Sequence, residues 1–350
     1  PLHHTYECMA GFLAPIYAGA SVAYNDSLRR LTEDFKLFSP TVLVAVPLVL
    51  ETLRNNIIKR YGKIKGGSAL LAVQRRVSDA ARALNPDAGR KIFSTVANAF
   101  GGRLTRILSG AALLPEHVHR DMERFGFKVY IGYGLTETSP VCIMHNDFYR
   151  APDDIGYPIV GGQAKLVDPD ENGVGELAYR GANVMLGYYK NPEETAKVLR
   201  DGWFHTGDYG MFTEKGFLKI TGRKKNLIIL SNGENVSPEL IENKFDSDRL
   251  VQDIIAFGEG DSIEGEVYPN YEYAQAHNIQ DIQAAMNEIV AMHNEELPSY
   301  AKISNCTFRK QPFQKTSSKK IIRKAYFENR KEKSTEKKNL LRPATELQQK

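Results

Sequence analysis

Between Thr5 and Val46 the apolar and polar residues fall into alternating longer and shorter blocks. The apolar stretch from Met9 to Ala18 has the length of a helix, and Ser21 to Tyr24 reads as a strand. Leu31 to Phe38 then reads as a polar helix and Thr41 to Val46 as a second strand. That alternation predicts an α/β layer with parallel strands. Residues 48–100 are mostly helical and basic, broken at Gly62, at Gly66-Gly67 and around Pro86. A short strand, Leu104 to Leu108, delivers Ser109-Gly110-Ala111-Ala112; a helix from Pro115 to Phe125 leads into a strand from Phe127 to Ile131. The strand from Phe127 to Ile131 ends in Gly132-Tyr133-Gly134. Ligands of open α/β sheets gather beyond the carboxyl ends of the strands, so both small-residue loops are expected where a nucleotide can bind.

From about 150 to 222 the pattern changes. Short apolar runs (Gln163 to Val167, Gly175 to Tyr179, Phe217 to Thr221) are separated by Gly, Pro, Asp and Asn turns, which predicts a small β-barrel or sandwich. After Arg223 an α+β pattern follows: strand Leu227 to Leu230, helix Pro238 to Phe245, strand Asp253 to Phe257, helix Ile279 to Glu295. The expected organisation is α/β: a large partial N-terminal domain over 1–222 (about 1–149 α/β layers, about 150–222 barrel-like), a smaller mobile α+β domain over 223–330, and a basic tail over 331–350.

Composition narrows the functional classes. The chain has 350 residues, an ordinary apolar fraction of 42% and a net charge of +4. Residues 314–350 hold twelve Lys/Arg against four Asp/Glu, so the rest is mildly acidic. A basic tail attracts phosphate-bearing ligands or anionic lipid, or is simply a solvated end. Cys8, Cys142 and Cys306 are scattered with no CxxC pair, which argues against a disulfide framework or zinc ribbon and suits a reducing cytosol. No apolar run reaches the roughly 18–20 residues of a spanning helix, and the histidines form no metal-ligand spacing. Cytoplasmic residence, with peripheral contact at the inner membrane surface, is the expectation.

Four short strings carry candidate chemistry. A loop for a nucleoside monophosphate needs a flat face for the base, backbone freedom, a hydroxyl for phosphate and a carboxylate for Mg²⁺. Tyr133, Gly134, Thr136 and Glu137 supply these in order. The same pentad also suits an ordinary turn after a strand. In Asp201-Gly202-Trp203-Phe204-His205-Thr206-Gly207-Asp208, an aspartate after glycine can accept hydrogen bonds from both ribose hydroxyls, while Trp203 reads as packing. Gly222-Arg223-Lys224-Lys225-Asn226 follows, and Lys315-Thr316-Ser317-Ser318-Lys319-Lys320 brings a cluster of ammonium groups near the end.

In this order the strings resemble the acyl-adenylate-forming (AMP-binding) enzymes, and within them the long-chain fatty acyl-CoA synthetases; the resemblance reaches about residue 330. It implies an ATP-dependent, AMP-forming ligase that converts a fatty acid to acyl-AMP and then acyl-CoA, with ATP and coenzyme A as co-substrates and Mg²⁺ as cofactor. It implies nucleotide contacts from Gly110, Ala111, Ala112, Gly132, Tyr133, Gly134, Asp208 and Arg223, with Thr136 on phosphate and Glu137 on the metal. Lys225 matches the hinge, Gly233 the loop that forms the pantetheine tunnel, and Lys320 the lysine of adenylate formation. His4 falls near the acyl pocket.

Two departures stand out. Lys319 occupies the usual glycine before the catalytic lysine, leaving open which ammonium reaches the site, and Asn226 replaces a common acidic residue. Upstream of Pro1-Leu2-His3-His4-Thr5 the family carries a Ser/Thr/Gly-rich phosphate loop that this chain does not contain, so it reads as a protein entered midway and inactive by itself. The alternatives are an adenylating enzyme that loads an acyl carrier protein and a non-catalytic nucleotide-binding scaffold. Nucleic acid is not an expected partner.

Overall fold

The computed structural model describes residues 2–25, 27, 29–230, 235–316 and 321–330. The chain divides into two compact units, Pro1–Leu227 and Ile228–Lys350.

The first unit opens with a π-helical turn, Glu7–Leu13, running into α1 (Ala14–Tyr17), and then α2 (Leu31–Phe38). β1 (Val42–Ala45) is followed by four helices, α3 (Pro47–Gly62), α4 (Gly67–Leu84), α5 (Ala88–Ile92) and α6 (Ser94–Ala99). Next come β2 (Arg106–Ser109), α7 (Glu116–Arg124) and β3 (Lys128–Gly134). β1, β2 and β3 are parallel, with Val42 opposite Arg106 and Arg106 opposite Lys128. β3 continues past the parallel region and pairs antiparallel with β4 (Val141–Met144), which pairs with β5 (Tyr157–Pro158). Gly132-Tyr133-Gly134 therefore lies inside a strand, not beyond its end.

Ser21 to Tyr24 is not a strand. Strand backbone needs a neighbour for its hydrogen bonds, and among the described residues β1 pairs only with β2.

The second sheet is antiparallel, in the order β10 (Leu218–Arg223), β9 (Trp203–Phe212), β7 (Gly175–Arg180), β6 (Gln163–Val167). α8 (Pro192–Val198), which the apolar pattern did not predict, starts where the Asn191 side chain accepts from the Glu194 N–H at 3.2 Å, and leads into β8 (Leu199–Arg200) on the edge of β9. Trp203 packs as expected, beneath the Lys165 ammonium and the Arg180 guanidinium. One apolar core spans both sheets, from Ile107 and Val129 to Leu177, Tyr179 and Leu218.

The second unit has a short pair, β11 (Ile228–Ile229) with β12 (Asn235–Val236), then α9 (Pro238–Glu242). Its main sheet is β13 (Val251–Glu259), β14 (Ser262–Pro269) and β15 (Ile303–Phe308), with α10 (Tyr271–Ala276) and α11 (Ile282–Glu295) between the last two. Its core gathers Ile241, Phe245, Ala256, Val267 and Met286.

Charged groups fix the helices of the first unit. Asp121 of α7, 2% exposed, accepts from Arg54 of α3 and Arg75 of α4, each at 2.6 Å, and from Arg124 at 3.3 Å. Glu123 accepts from Arg82 of α4, from Arg150 at 3.3 Å and from the Val129 N–H at 2.9 Å. Removing one member of such a buried set costs about 3–5 kcal/mol.

A second buried polar cluster involves two histidines. Nδ1 of His145 accepts from the Ile131 N–H at 3.1 Å, so its proton sits on Nε2, 3.1 Å from Asp154. Asp154 also accepts from the Tyr149 hydroxyl at 2.7 Å and the Gly156 N–H at 2.9 Å. His119 stands edge-on to His145 with ring centres 6.1 Å apart, and burial, with His145 beside it, pushes its pKa down to about 3.

A histidine held neutral in the fold and free to protonate when unfolded makes the unfolded chain bind more protons below its ordinary pKa. Stability is then complete above about pH 6.5 and is lost as pH falls from there toward about 3. For one such histidine the loss approaches about 2 kcal/mol between pH 6.5 and pH 5. Urea unfolding across this range should show that loss, and His119→Leu should flatten it. An unchanged slope in the variant would assign the acid sensitivity elsewhere.

Candidate functional site

Three candidate site residues, Tyr133, Asp208 and Arg223, come together where β3 meets β9 and β10. Asp208 on β9 is 3% exposed and lies opposite Arg223 in the β9–β10 ladder. One carboxylate oxygen accepts from the Tyr133 hydroxyl at 2.6 Å; the other lies 2.8 Å from Nε of the exposed Arg223. Burial and the Asp208 charge hold the Tyr133 phenol protonated by raising its pKa well above the ordinary value. The Thr206 hydroxyl donates to the Leu177 carbonyl at 2.8 Å and accepts from the Asp208 N–H at 3.1 Å, fixing the stretch of β9 that presents the carboxylate.

Gly134 is glycine for a packing reason. A Cβ there would sit 1.7 Å from the Pro140 carbonyl oxygen. Beyond it, Thr136–Thr138 forms one 3₁₀ turn, with the Thr138 hydroxyl bonded to the backbone of Leu135 and Pro140. The side chain of Thr136 is exposed.

Glu137 is half-buried, and its carboxylate accepts from the Tyr188 hydroxyl at 2.8 Å. Burial and this carboxylate raise the Tyr188 pKa to about 12, so the phenol remains a donor. No group of three or more acidic, histidine or cysteine side chains among the described residues could enclose a metal. Glu137 alone would suit Mg²⁺ only with other oxygens completing the shell, since Mg²⁺ takes one or two carboxylates together with phosphate oxygens and water.

The Gly110 loop lies against a residue that the motifs do not flag. A Cβ on Gly110 would come within 2.7 Å of the Tyr6 ring, and the Tyr6 hydroxyl donates to the Leu108 carbonyl at 3.0 Å. Ala111 adopts the left-handed backbone at φ 67°, uncommon for a side-chain-bearing residue, and Ala112 is half-buried. Gly132 has no such crowding, since a Cβ there meets nothing nearer than 3.9 Å. His4 is exposed, and its Nδ1 accepts from the Tyr6 N–H at 3.2 Å, so it braces the turn that carries Tyr6.

Lys225 is exposed in the turn Lys224–Asn226, just before the two units divide after Leu227. Its neighbour Lys224 donates to buried Glu176 of β7 at 2.8 Å, and Nδ1 of His205 lies 3.6 Å from the same oxygen. Gly233, Lys319 and Lys320 lie outside the described residues. The flanks of 317–320 are anchored: Lys315 pairs with Asp253 at 2.6 Å and bridges to Ile321, and Arg323 binds Glu242 and the Ala256 carbonyl.

Sequence reasoning missed Tyr6, Glu176, Asn183 and Tyr188. Their partners lie dozens of residues away, and only Gly187-Tyr188-Tyr189, an aromatic pair after glycine, offered a local signal. Asn183 donates to the Thr138 carbonyl at 2.7 Å and the Val141 carbonyl at 3.0 Å, and accepts from the Tyr179 hydroxyl. Asn183→Ala should cost about 2 kcal/mol by stranding these groups and speed amide exchange over 135–139. Wild-type exchange there would show that the turn holds without it.

Residues 1–189 match the AMP-binding enzyme family, and residues 225–346 match the AMP-binding enzyme C-terminal domain. The chain is 34% identical over 294 residues to long-chain-fatty-acid–CoA ligase 4 of Saccharomyces cerevisiae, covering 77% of this chain and 41% of that protein. It is 30% identical over 369 aligned positions to the chloroplastic long-chain-fatty-acid–[acyl-carrier-protein] ligase AEE15 of Arabidopsis thaliana, covering 89% of this chain and 50% of that one. The chain thus spans half or less of the length of these relatives. Among solved structures, ATP-bound MatB from Rhodopseudomonas palustris superposes with a TM-score of 0.70 at 21% identity, over 94% of this chain and 58% of that one, which shows the shared fold. The chain belongs to the AMP-binding enzyme family.

Proposed function

We propose that these residues serve the ATP-dependent activation of a long-chain fatty acid, first to acyl-AMP and then to acyl-CoA. The observation that carries this reading is the joining of Tyr133, Asp208 and Arg223 around one buried carboxylate, with Glu137 four residues beyond Tyr133. Ribose hydroxyls can replace the Tyr133 and Arg223 donors on Asp208, and the Tyr133 ring offers a face to the base. Glu137, oriented by Tyr188, would hold Mg²⁺, which when bound neutralises charge on the phosphate oxygens.

In the first half-reaction a carboxylate oxygen of the fatty acid bonds to the α-phosphorus of ATP, and the bond to the β-phosphate bridging oxygen breaks, releasing pyrophosphate. Lys320 is the residue we assign to bridge the carboxylate and the α-phosphate; such charge stabilisation is commonly worth about 10²–10³ in rate. In the second, the coenzyme A thiol gives its proton to solvent, its sulfur bonds to the acyl carbon, and the bond from that carbon to the phosphate oxygen breaks, so that AMP leaves with the oxygen. Lys225 would be the pivot between the two states and Gly233 the passage for the pantetheine arm. The similarity to an acyl-carrier-protein ligase supports a second reading, in which a carrier-bound thiol replaces coenzyme A.

Calorimetric titration of this chain with AMP tests the nucleotide site. Weak but saturable binding is expected, with Asp208→Asn weakening it about tenfold or more through loss of a charge-assisted acceptor. Equal affinity in the variant, at unchanged melting temperature, would remove Asp208 from the site. Lys320→Ala, made in a chain that catalyses both steps, should stop adenylate formation yet spare thioester formation from preformed acyl-adenylate. Equal loss of both steps, or the same selective defect from Lys319→Ala instead, would contradict the assignment.

A further inference from the structure

Helix α4 is folded inside out. Its inward face carries Gln74, Arg75, Ser78 and Arg82. Gln74 bonds to Tyr61 at 2.8 Å and to the Ile92 carbonyl at 3.1 Å; Ser78 donates to the Arg124 carbonyl at 2.8 Å. Arg75 and Arg82 reach Asp121 and Glu123 of α7. Leu71, 4% exposed, is the one large apolar side chain on that face. The other apolar residues are turned outward: Leu70 is 48% exposed, Val73 56%, Val77 49% and Leu84 92%. At about 100° per residue these four lie within about 60° of one another, a stripe roughly 21 Å long with only Ala80 and Ala81 on that face between Val77 and Leu84. Ile64, 57% exposed, precedes the same helix.

The charge of the segment that carries the stripe is one-sided. Residues 47–91 hold ten Lys/Arg against three Asp/Glu. Arg54, Arg75 and Arg82 are consumed by Asp121 and Glu123, and Arg90 by the Gly102 and Leu104 carbonyls. The remaining six, Lys59, Arg60, Lys63, Lys65, Arg76 and Lys91, are exposed. Of the three carboxylates, Asp79 is occupied by Arg124, Asp87 faces Lys128 and Glu51 is half-buried on α3.

An exposed apolar stripe flanked by unneutralised cations has the pattern of a helix that lies in a lipid–water interface, its apolar side chains among the acyl chains and its cations among the headgroups. Lysine stems also extend along apolar surface while keeping the ammonium at the headgroups. A second copy docked on the same face would bring the six cations against their own equivalents. We propose that the α3–α4 face, with the α4 stripe at its centre, is a docking surface for an anionic lipid bilayer. The proposal rests on this helix pair alone and is independent of the reading of the nucleotide site.

The test is co-sedimentation of the 350-residue chain with phosphatidylcholine vesicles, and with vesicles carrying roughly one-third phosphatidylglycerol, at low and high salt. Binding should be at least about tenfold stronger to the anionic vesicles and should weaken with salt. Val73→Glu/Val77→Glu should lower the partition about tenfold or more, and Lys63→Glu/Lys65→Glu should erase the preference for anionic lipid. All four positions are exposed, so melting temperatures should stay at the wild-type value; if the glutamate pair unfolds the chain, Val73→Ser/Val77→Ser replaces it. The basic residues 331–350 are the same in every variant, so binding through them would leave Val73→Glu/Val77→Glu at the wild-type partition and overturn the proposal. Absence of wild-type binding would overturn it too, as would a lipid-free dimer that Val73→Glu/Val77→Glu converts to monomer.

Discussion

The first unit is organised around one buried negative charge. Asp208 receives the Tyr133 hydroxyl from the α/β sheet and the Arg223 guanidinium from the neighbouring antiparallel strand. Taking a carboxylate out of water is expensive unless strong donors meet it. The fold meets that cost with groups from β3 and β10, so the two sheets are fixed against each other at this point. On the proposed reading, the donors a ribose would displace from Asp208 are the ones that join β3 to β10.

Elsewhere the same logic appears with opposite emphasis. Asp121 and Glu123 draw arginines from α3 and α4 inward and so decide which face of α4 meets solvent. Apolar burial is the dominant drive in most helices; here buried carboxylates outrank it.

Much of this was legible in the sequence. The parallel strands of the first sheet, the helical run from Pro47 to Ala99 and the β-rich character of the β6–β10 region follow from apolar spacing; the strand order and the antiparallel pairing do not. β14 was overlooked although its burial alternates residue by residue, because Glu264, Gly265 and Glu266 look like a loop when the buried positions include glycine and proline. α8 has no buried residue and so leaves no apolar period to read. Ser21 to Tyr24 failed for the converse reason: its composition suits a strand, but a strand exists only with a partner. Of the candidate residues, Tyr133, Asp208 and Arg223, which the fold joins, each stand in a short string that a single sequence displays. Tyr188, Asn183 and Tyr6 act through contacts 42 to 102 residues away, which a single sequence does not display.

The register of β1 against β2 has a kinetic consequence. Val42 pairs with Arg106, so the two strands of one ladder are separated by the whole helical run. On a ribosome adding roughly 5–20 residues per second, β1 waits about 3–13 s for its partner. Helices form within microseconds, so α3 to α6 can form first and turn a long, entropically costly closure into a short one between preformed ends. The connection thus favours helix formation in the insert ahead of ladder closure, while the final seating of α3 and α4 waits for Asp121 and Glu123 of α7.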